Sequence, residues 1–439
     1  MPDTVDTIYA LSSGAGKAGI AVVRVSGPLA GVAVQVSCGR LPAARRAERV
    51  SVKISQGTVK LDEAIVLWFP GPNSFTGEDI AEFHLHGSQG IVRLFLGELG
   101  SMDGFRPAEP GEFTRRALSN GKIDLVGVEG LNDMLAAETA TQVKQALFHV
   151  DGRASEIFHA WRDQLIEASA LAEACIDFTD EEGVADAALP QIRDSVVNLA
   201  KIMTGNLHDS QRGHLNRQGV RVVLAGSPNV GKSSLLNAIA ARDVAIVSSE
   251  AGTTRDVVEV SLDLGGVAMV ISDTAGLRDR VDSHVEQLGI DRTHERLSHA
   301  DIVISVASPD AEWQNTGVDS PTLRIWNKAD IGTPKPQVSY DMQVSALTGK
   351  GIEDLMTLLA SMAAELSGDG EPALLVRERQ VQAVKSAVSH LENALKPELP
   401  IELLAEDLRR AARNVGKLIG EVGTEDLLDN IFSKFCIGK

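Results

Sequence analysis

The sequence predicts a chain of three parts. A mixed α/β domain comes first, then an all-α domain, and a second α/β domain is inserted into the helical one. Two observations on texture and one motif carry this. Strand-forming β-branched runs fill 1–120 and return over 220–365, while Ala/Leu/Glu-rich stretches with apolar residues three and four apart fill 121–215 and 372–435. The motif is a complete G-x-x-x-x-G-K-[ST] at 226–233. The segments are therefore read as 1–120, 121–217, 218–367 and 368–439, with the second and fourth meeting in space. At 439 residues, each part is long enough to bury a core.

In the front segment, Ile20-Ala21-Val22-Val23-Arg24-Val25 and Ala64-Ile65-Val66-Leu67-Trp68-Phe69 read as strands punctuated by Gly and Pro. Gly14-Ala15-Gly16-Lys17-Ala18-Gly19 lacks phosphate-loop spacing and reads as an ordinary loop. In the second segment Leu165, Ala168, Leu171 and Ala172 set a helical period. Helical texture resumes after the breaker Gly368-Asp369-Gly370-Glu371-Pro372.

Composition narrows the class. Apolar residues make up 44% and charged residues 23%, an ordinary globular balance that excludes collagenous and wholly disordered chains. No apolar run is long enough to span a membrane, and the amino-terminal stretch does not read as a signal peptide, so a cytoplasmic protein is expected. Three scattered cysteines exclude a disulfide framework. The net charge is −18, yet residues 1–120 hold 12 acids and 12 bases, so the whole deficit lies beyond them. A nucleic-acid partner would need a local basic patch. Arg40, Arg45, Arg46 and Arg49 are the obvious cluster, and a solvated loop is the favoured reading of it.

The phosphate loop has the right flanks: strand Val220-Arg221-Val222-Val223-Leu224-Ala225 before it and a helix opening at Ser234-Leu235-Leu236 after it. Its backbone N–H groups and the helix N-terminus suit phosphate oxygens, Lys232 suits the β/γ-phosphates, and the Ser233 hydroxyl suits Mg²⁺. Asp273-Thr274-Ala275-Gly276 ends a strand and faces the same metal. The hydroxyl-rich Gly252-Thr253-Thr254-Arg255-Asp256 can close over it. Asn327-Lys328-Ala329-Asp330 follows a strand, and its carboxylate can accept from guanine's ring N–H and exocyclic amine, a pair that adenine lacks. Ser345-Ala346-Leu347 can offer a backbone N–H to guanine's carbonyl oxygen. Five such elements in order imply a GTP-binding domain.

Hydrolysis needs another water-positioning group, because Leu277 stands where Ras-type switches carry glutamine. Asn229 offers a neutral oxygen suited to a monovalent cation. From chemistry alone, Asp279, Asp282 and Glu286 stay open as the water-orienting acid.

Asn229 in the phosphate loop, GTTRD at 252–256, DTAGLR at 273–278 and the terminal Cys436-Ile437-Gly438-Lys439 together resemble the MnmE (TrmE) family of tRNA-modification GTPases, within the TrmE-Era-EngA-like class. Pro70-Gly71-Pro72-Asn73-Ser74-Phe75-Thr76-Gly77-Glu78-Asp79, Pro110-Gly111-Glu112-Phe113-Thr114 and Ala174-Cys175-Ile176-Asp177-Phe178 extend the resemblance over the whole chain. It implies a folate-binding front domain that also makes the homodimer, a helical domain and an inserted GTPase domain. The implied activity is GTP hydrolysis coupled to adding an aminomethyl-type (carboxymethylaminomethyl) group to carbon 5 of the wobble uridine of certain tRNAs. The implied partner is MnmG (GidA), which uses a flavin and NADH, in a heterotetramer. A 5-formyl- or methylene-tetrahydrofolate is the implied one-carbon source, and K⁺ the implied replacement for an arginine finger.

Carried over by motif, nucleotide contacts fall on Asn229, Val230, Gly231, Lys232, Ser233 and Ser234. They continue at Ser248, Ser249, Glu250, Ala251, Gly252, Thr253 and Thr254, at Asp273, Thr274, Ala275 and Gly276, and at Asn327, Lys328, Asp330, Ser345 and Ala346. K⁺ ligands fall on Asn229, Ser248, Glu250 and Thr253, and Mg²⁺ ligands on Ser233 and Thr254. Glu286 becomes the water-orienting acid, beside Lys232 and Thr254 as catalytic groups. Folate contacts fall on Arg24, Glu82, Lys122 and Lys439. Cys436 is open between a reactive group and a packed terminal anchor. Three departures stand out: Glu250 replaces a usually apolar residue, 308–322 is short, and Thr179 stands where the family has proline. His84 and His86 share a strand face without a third metal ligand, and Asp180, Glu181 and Glu182 read as a solvated helix end. A ribosome-assembly GTPase switch is the alternative function, disfavoured because no basic RNA module is visible.

Overall fold

A computed structural model describes residues 6–177, 184–242, 259–273, 296–311, 313, 320–334, 339–368, 370–421, 428, 431–432, 435 and 438. The chain divides into two compact units, Met1–Asn132 with Gly416–Lys439, and Asp133–Val415. The last residues thus group with the front of the chain, whereas the sequence segments assign them to the helical domain.

The first unit is built on a six-stranded sheet in the order β3-β4-β5-β2-β1-β6. Its strands are β1 (Thr7–Leu11), β2 (Ile20–Ser26), β3 (Glu48–Ile54), β4 (Val59–Phe69), β5 (Ile80–His86) and β6 (Phe105–Pro107). All described pairings are antiparallel except β1 with β6. Alternation along β2 and β4 buries Val23, Val25, Ala64 and Val66 on one face. Helices α1 (Ala30–Cys38) and α2 (Gln89–Gly100) cover that face with Ala30, Ala33, Val34, Phe95 and Leu99. Helices α3 (Glu112–Ser119) and α4 (Leu125–Ala136) follow. Phe432 and Phe435 pack with Val128 of α4, and Ser12 Oγ donates to the Gly438 carbonyl at 2.9 Å.

In the second unit, α5 (Ala140–Val150), α6 (Arg153–Asp177), α7 (Val184–His208) and α8 (Ser210–Gln218) precede the inserted sheet. The helical period of α6 is borne out by its buried face, Phe158, Trp161, Leu165, Ala168 and Ala172, with Leu171 partly exposed. The insert carries β7 (Val220–Ala225), α9 (Lys232–Ala240), β8 (Glu259–Leu264), β9 (Val267–Asp273), β10 (Ile302–Ala307), β11 (Thr322–Trp326), β12 (Met342–Gln343) and α10 (Ile352–Ser367). Its sheet order is β12-β11-β10-β7-β9-β8, parallel except for the β8 edge. Every residue of β10 is buried, all apolar but Ser305, as a strand covered on both faces requires. Helices α11 (Glu378–Ala394) and α12 (Ile401–Ile419) close the helical part, α11 packing on α7.

The insertion is tied at its neck. Asp133 Oδ1 accepts from Arg377 at 2.7 Å and from Arg217 at 3.3 Å, one arginine on each side of the insert. The Gln145 amide bonds Ala373 through both backbone groups at 2.8 Å, and Gln142 Nε2 donates to the Arg217 carbonyl.

Candidate nucleotide and front-domain sites

The phosphate loop leaves the carboxyl end of β7, the central strand between β9 and β10, and turns into α9. The helix begins at Lys232, two residues before the start expected from sequence, so Lys232 and Ser233 occupy its first turn. Two glycines make the path possible. A Cβ on Gly226 would stand 2.3 Å from the Val306 carbonyl oxygen, and one on Gly231, at φ +92°, would stand 2.4 Å from Asn327 Nδ2. Asn229 itself takes φ +64°, an uncommon state for a residue with a side chain, and is exposed.

Lys232 is buried, and its ammonium donates to the carbonyls of Gly226 at 2.9 Å and Ser227 at 3.1 Å. The lysine therefore lies inside the loop, at the N-terminus of α9, where dipole and N–H groups favour an anion. Ser233 Oγ donates to Asp273 Oδ2 at 2.6 Å, bringing a hydroxyl and a buried carboxylate together from α9 and β9. Two hard oxygens at that spacing fit a Mg²⁺ donor set.

Asn327 links the loops. Its Nδ2 donates to the Val230 carbonyl at 2.9 Å and its Oδ1 accepts from Ala346 N at 3.2 Å. Ser345 Oγ donates to Asp330 Oδ1 at 2.5 Å, orienting that carboxylate. Ser345's own N–H goes to the Lys350 carbonyl at 2.9 Å. The Ser345 hydroxyl thus serves the Asp330 carboxylate, while its backbone closes the turn that follows.

The front-domain residues also converge. Arg24 and Glu82 face each other across β2 and β5, with Arg24 Nε donating to Glu82 Oε1 at 3.0 Å. The Arg24 guanidinium lies 5.7 Å from the ring centroids of both Phe75 and Phe113. Lys122 crosses Gly77, where a Cβ would come within 3.1 Å of Lys122 Cε. The 75–77 turn thus touches both cations. A positive, aromatic-flanked site of this kind fits a flat acidic ligand such as a folate. His84 Nε2 lies 3.6 Å from Glu82, and His86 Nδ1 bonds Asp62 at 2.7 Å. No metal-binding cluster occurs among the described residues.

Similarity to known proteins completes this geometry. The pattern of the GTP-binding protein TrmE N-terminus matches residues 7–122, and that of the MnmE helical domain matches residues 125–436. A tRNA modification GTPase MnmE of Beijerinckia indica is 44% identical over 99% of this chain and 96% of that protein. The MnmE chains of Rhodopseudomonas palustris and Paramagnetospirillum magneticum are 43% and 44% identical, each over 99% of this chain and 99% or more of theirs. The chain belongs to the MnmE family. It is a GTPase that binds GTP. Within this MnmE family member, Ser248, Ser249, Glu250, Ala251, Gly252, Thr253, Thr254, Thr274, Ala275, Gly276, Glu286, Cys436 and Lys439 lie outside the described residues. Asp180, Glu181 and Glu182, and residues 312 and 314–319 of the short 308–322 stretch, do so as well.

All four arginines of the cluster are exposed: Arg40 pairs with Glu48 at 2.7 Å, Arg49 with Glu63 at 3.5 Å, and Arg45 donates to the Asn73 carbonyl. Sequence reasoning missed the contacts that Pro309, Asp310 and Trp313 make with Gly332, Lys328 and Trp326. The shortness of 308–322 was the one signal that pointed there.

Proposed function

We propose that this GTPase couples hydrolysis to adding a carboxymethylaminomethyl-type group to carbon 5 of the wobble uridine of certain tRNAs. It would act in the cytoplasm with an FAD- and NADH-using partner of the MnmG (GidA) kind, as a homodimer through its front domain. The observation that carries this reading is the 44% identity to an MnmE protein over 99% of the chain, which takes in both domain patterns.

In this reading the N–H groups of 229–233 and Lys232 hold the phosphates. Ser233, Asp273 and Thr254 hold Mg²⁺, which would neutralise charge on the β- and γ-phosphate oxygens. Asp330, oriented by Ser345, accepts from guanine's ring N–H and amine, while Asn327 keeps the base loop in register with the phosphate loop. Leu277 cannot bind water, and the family resemblance makes Glu286 the acid that orients the nucleophile. Asn229, Ser248, Glu250 and Thr253 hold K⁺, which would supply the charge that an arginine supplies in other GTPases. Arg24, Glu82, Lys122 and Lys439 hold a 5-formyl- or methylene-tetrahydrofolate, the carrier of the one-carbon unit. Arg24 binds charge and the Phe75 ring offers a stacking face.

Chromatography of tRNA nucleosides from a deletion strain tests the reading. Loss of the modified wobble uridine, restored by the wild-type chain but not by Ser233→Ala, is expected. Unchanged wobble uridines in the deletion strain would overturn it.

A further inference from the structure

Just after β10, the chain folds back on the loop that follows β11. Ser308 and Ala311 pair in a tight bridge, which puts Pro309, Asp310 and Trp313 against 326–332. Pro309 lies over Gly332, where an added Cβ would stand 2.8 Å from Pro309 Cγ. Asp310 Oδ2 accepts from Lys328 Nζ at 2.7 Å. The Trp313 indole donates to the Ser305 carbonyl at 3.2 Å, and its ring lies 5.6 Å from that of Trp326. Trp326 in turn donates to the Gly332 carbonyl at 3.0 Å.

These contacts hold a strained segment. Lys328 takes φ +57°, in the left-handed region that side-chain residues rarely occupy. A backbone in that state persists only where its surroundings over-determine it. On one side, Asn327 N bonds the Ala307 carbonyl and Ala329 N bonds the Val344 carbonyl. Residues 309–311 and Trp313 supply the other side. The Asp310 carboxylate fixes the lysine's charge, and the Trp313 indole backs the tryptophan that leads into Asn327.

We propose that Asp310 and Trp313 are positioning residues for guanine recognition, acting through Lys328 and Trp326 on the Asn327–Asp330 loop. This rests on reading that loop as the base-reading element. Neither residue touches nucleotide. Asp310 sets where the lysine stands, and Trp313 sets the height of the loop over the sheet.

The test uses the full-length chain. The side chain of Asp310 is 60% exposed and that of Lys328 29%, so the pair is a partly screened one. Asp310→Asn should raise the GTP KM about threefold, with kcat and Tm unchanged. Asp310→Glu should restore it. In a Lys328→Met background, Asp310→Asn should have no further effect, because the route through Lys328 is already gone. Trp313→Ala should raise the GDP Kd by roughly tenfold, the order of losing an aromatic pair, and Trp313→Phe should recover most of it. Asp330→Asn serves as the control. Full GTP affinity in that variant would remove the base-loop reading and this inference with it. Loss of GTP binding in Asp330→Asn, with an unchanged KM in Asp310→Asn and an unchanged Kd in Trp313→Ala, would overturn the inference alone. A matched fall of kcat and Tm in either positioning variant would also overturn it.

Discussion

Gly231→Ala puts one methyl group where the phosphate loop and the base loop meet. The backbone there has φ +92°, so the alanine is strained by about 1–2 kcal/mol before any contact is considered. Its Cβ would also stand 2.4 Å from Asn327 Nδ2. Asn327 has little room to retreat, because it is 1% exposed and bonded to Val230 and Ala346. Moving it breaks at least one buried hydrogen bond, about 1–3 kcal/mol. Without nucleotide the loop can relax, and binding GDP restores the strained path; the sum, about 2–5 kcal/mol, then weakens GDP affinity between roughly 30-fold and a few thousand-fold. Calorimetric titration of GDP into the full-length variant measures this. The clash predicts a particular non-additivity: Asn327→Ala weakens binding by itself, yet the double variant should bind better than the sum of the single losses implies. Wild-type affinity in Gly231→Ala, or strict additivity with Asn327→Ala, would refute the argument.

Glu286→Ala should bind GTP normally and lower turnover on the order of 10²–10³-fold; if single-turnover rates fall for Asp282→Ala instead, the water-orienting acid is misassigned. GTP turnover should be much faster in KCl than in NaCl, and sedimentation should show the inserted domains associating only with K⁺ and aluminium fluoride; equal rates in both salts would remove the cation mechanism and turn attention to Arg255. Acid should destabilise the first unit. Burial works to raise the Asp6 and Glu112 carboxyls, but hydrogen bonds and charge from Arg106 and Arg116 outweigh it and hold both below the usual carboxylate range. The stability they contribute is present above the unfolded carboxylate range and is lost as pH falls through their lowered values. Arg106→Met should flatten that acid transition in a pH series of denaturation midpoints.

What the sequence determined by itself was local. The phosphate loop, DTAG, NKAD and the strand and helix periods are runs of neighbouring residues, and a spacing rule of a few residues is enough to identify them. Asn229 and Gly231 could be named as loop residues for that reason, and the insertion could be inferred from where one period replaces another. Periodicity states which face of an element is buried, but not what it is buried against. Asp133 holding Arg217 and Arg377, Ser12 holding Gly438, and Asn327 closing on Val230 join residues separated by tens to hundreds of positions. Such pairings are set by how sheets twist and helices pack, and no local propensity encodes them. Asp310 shows the difference at the site itself: in sequence it is one acid among 60, and only the fold of 308–311 onto 326–332 gives it a lysine to hold.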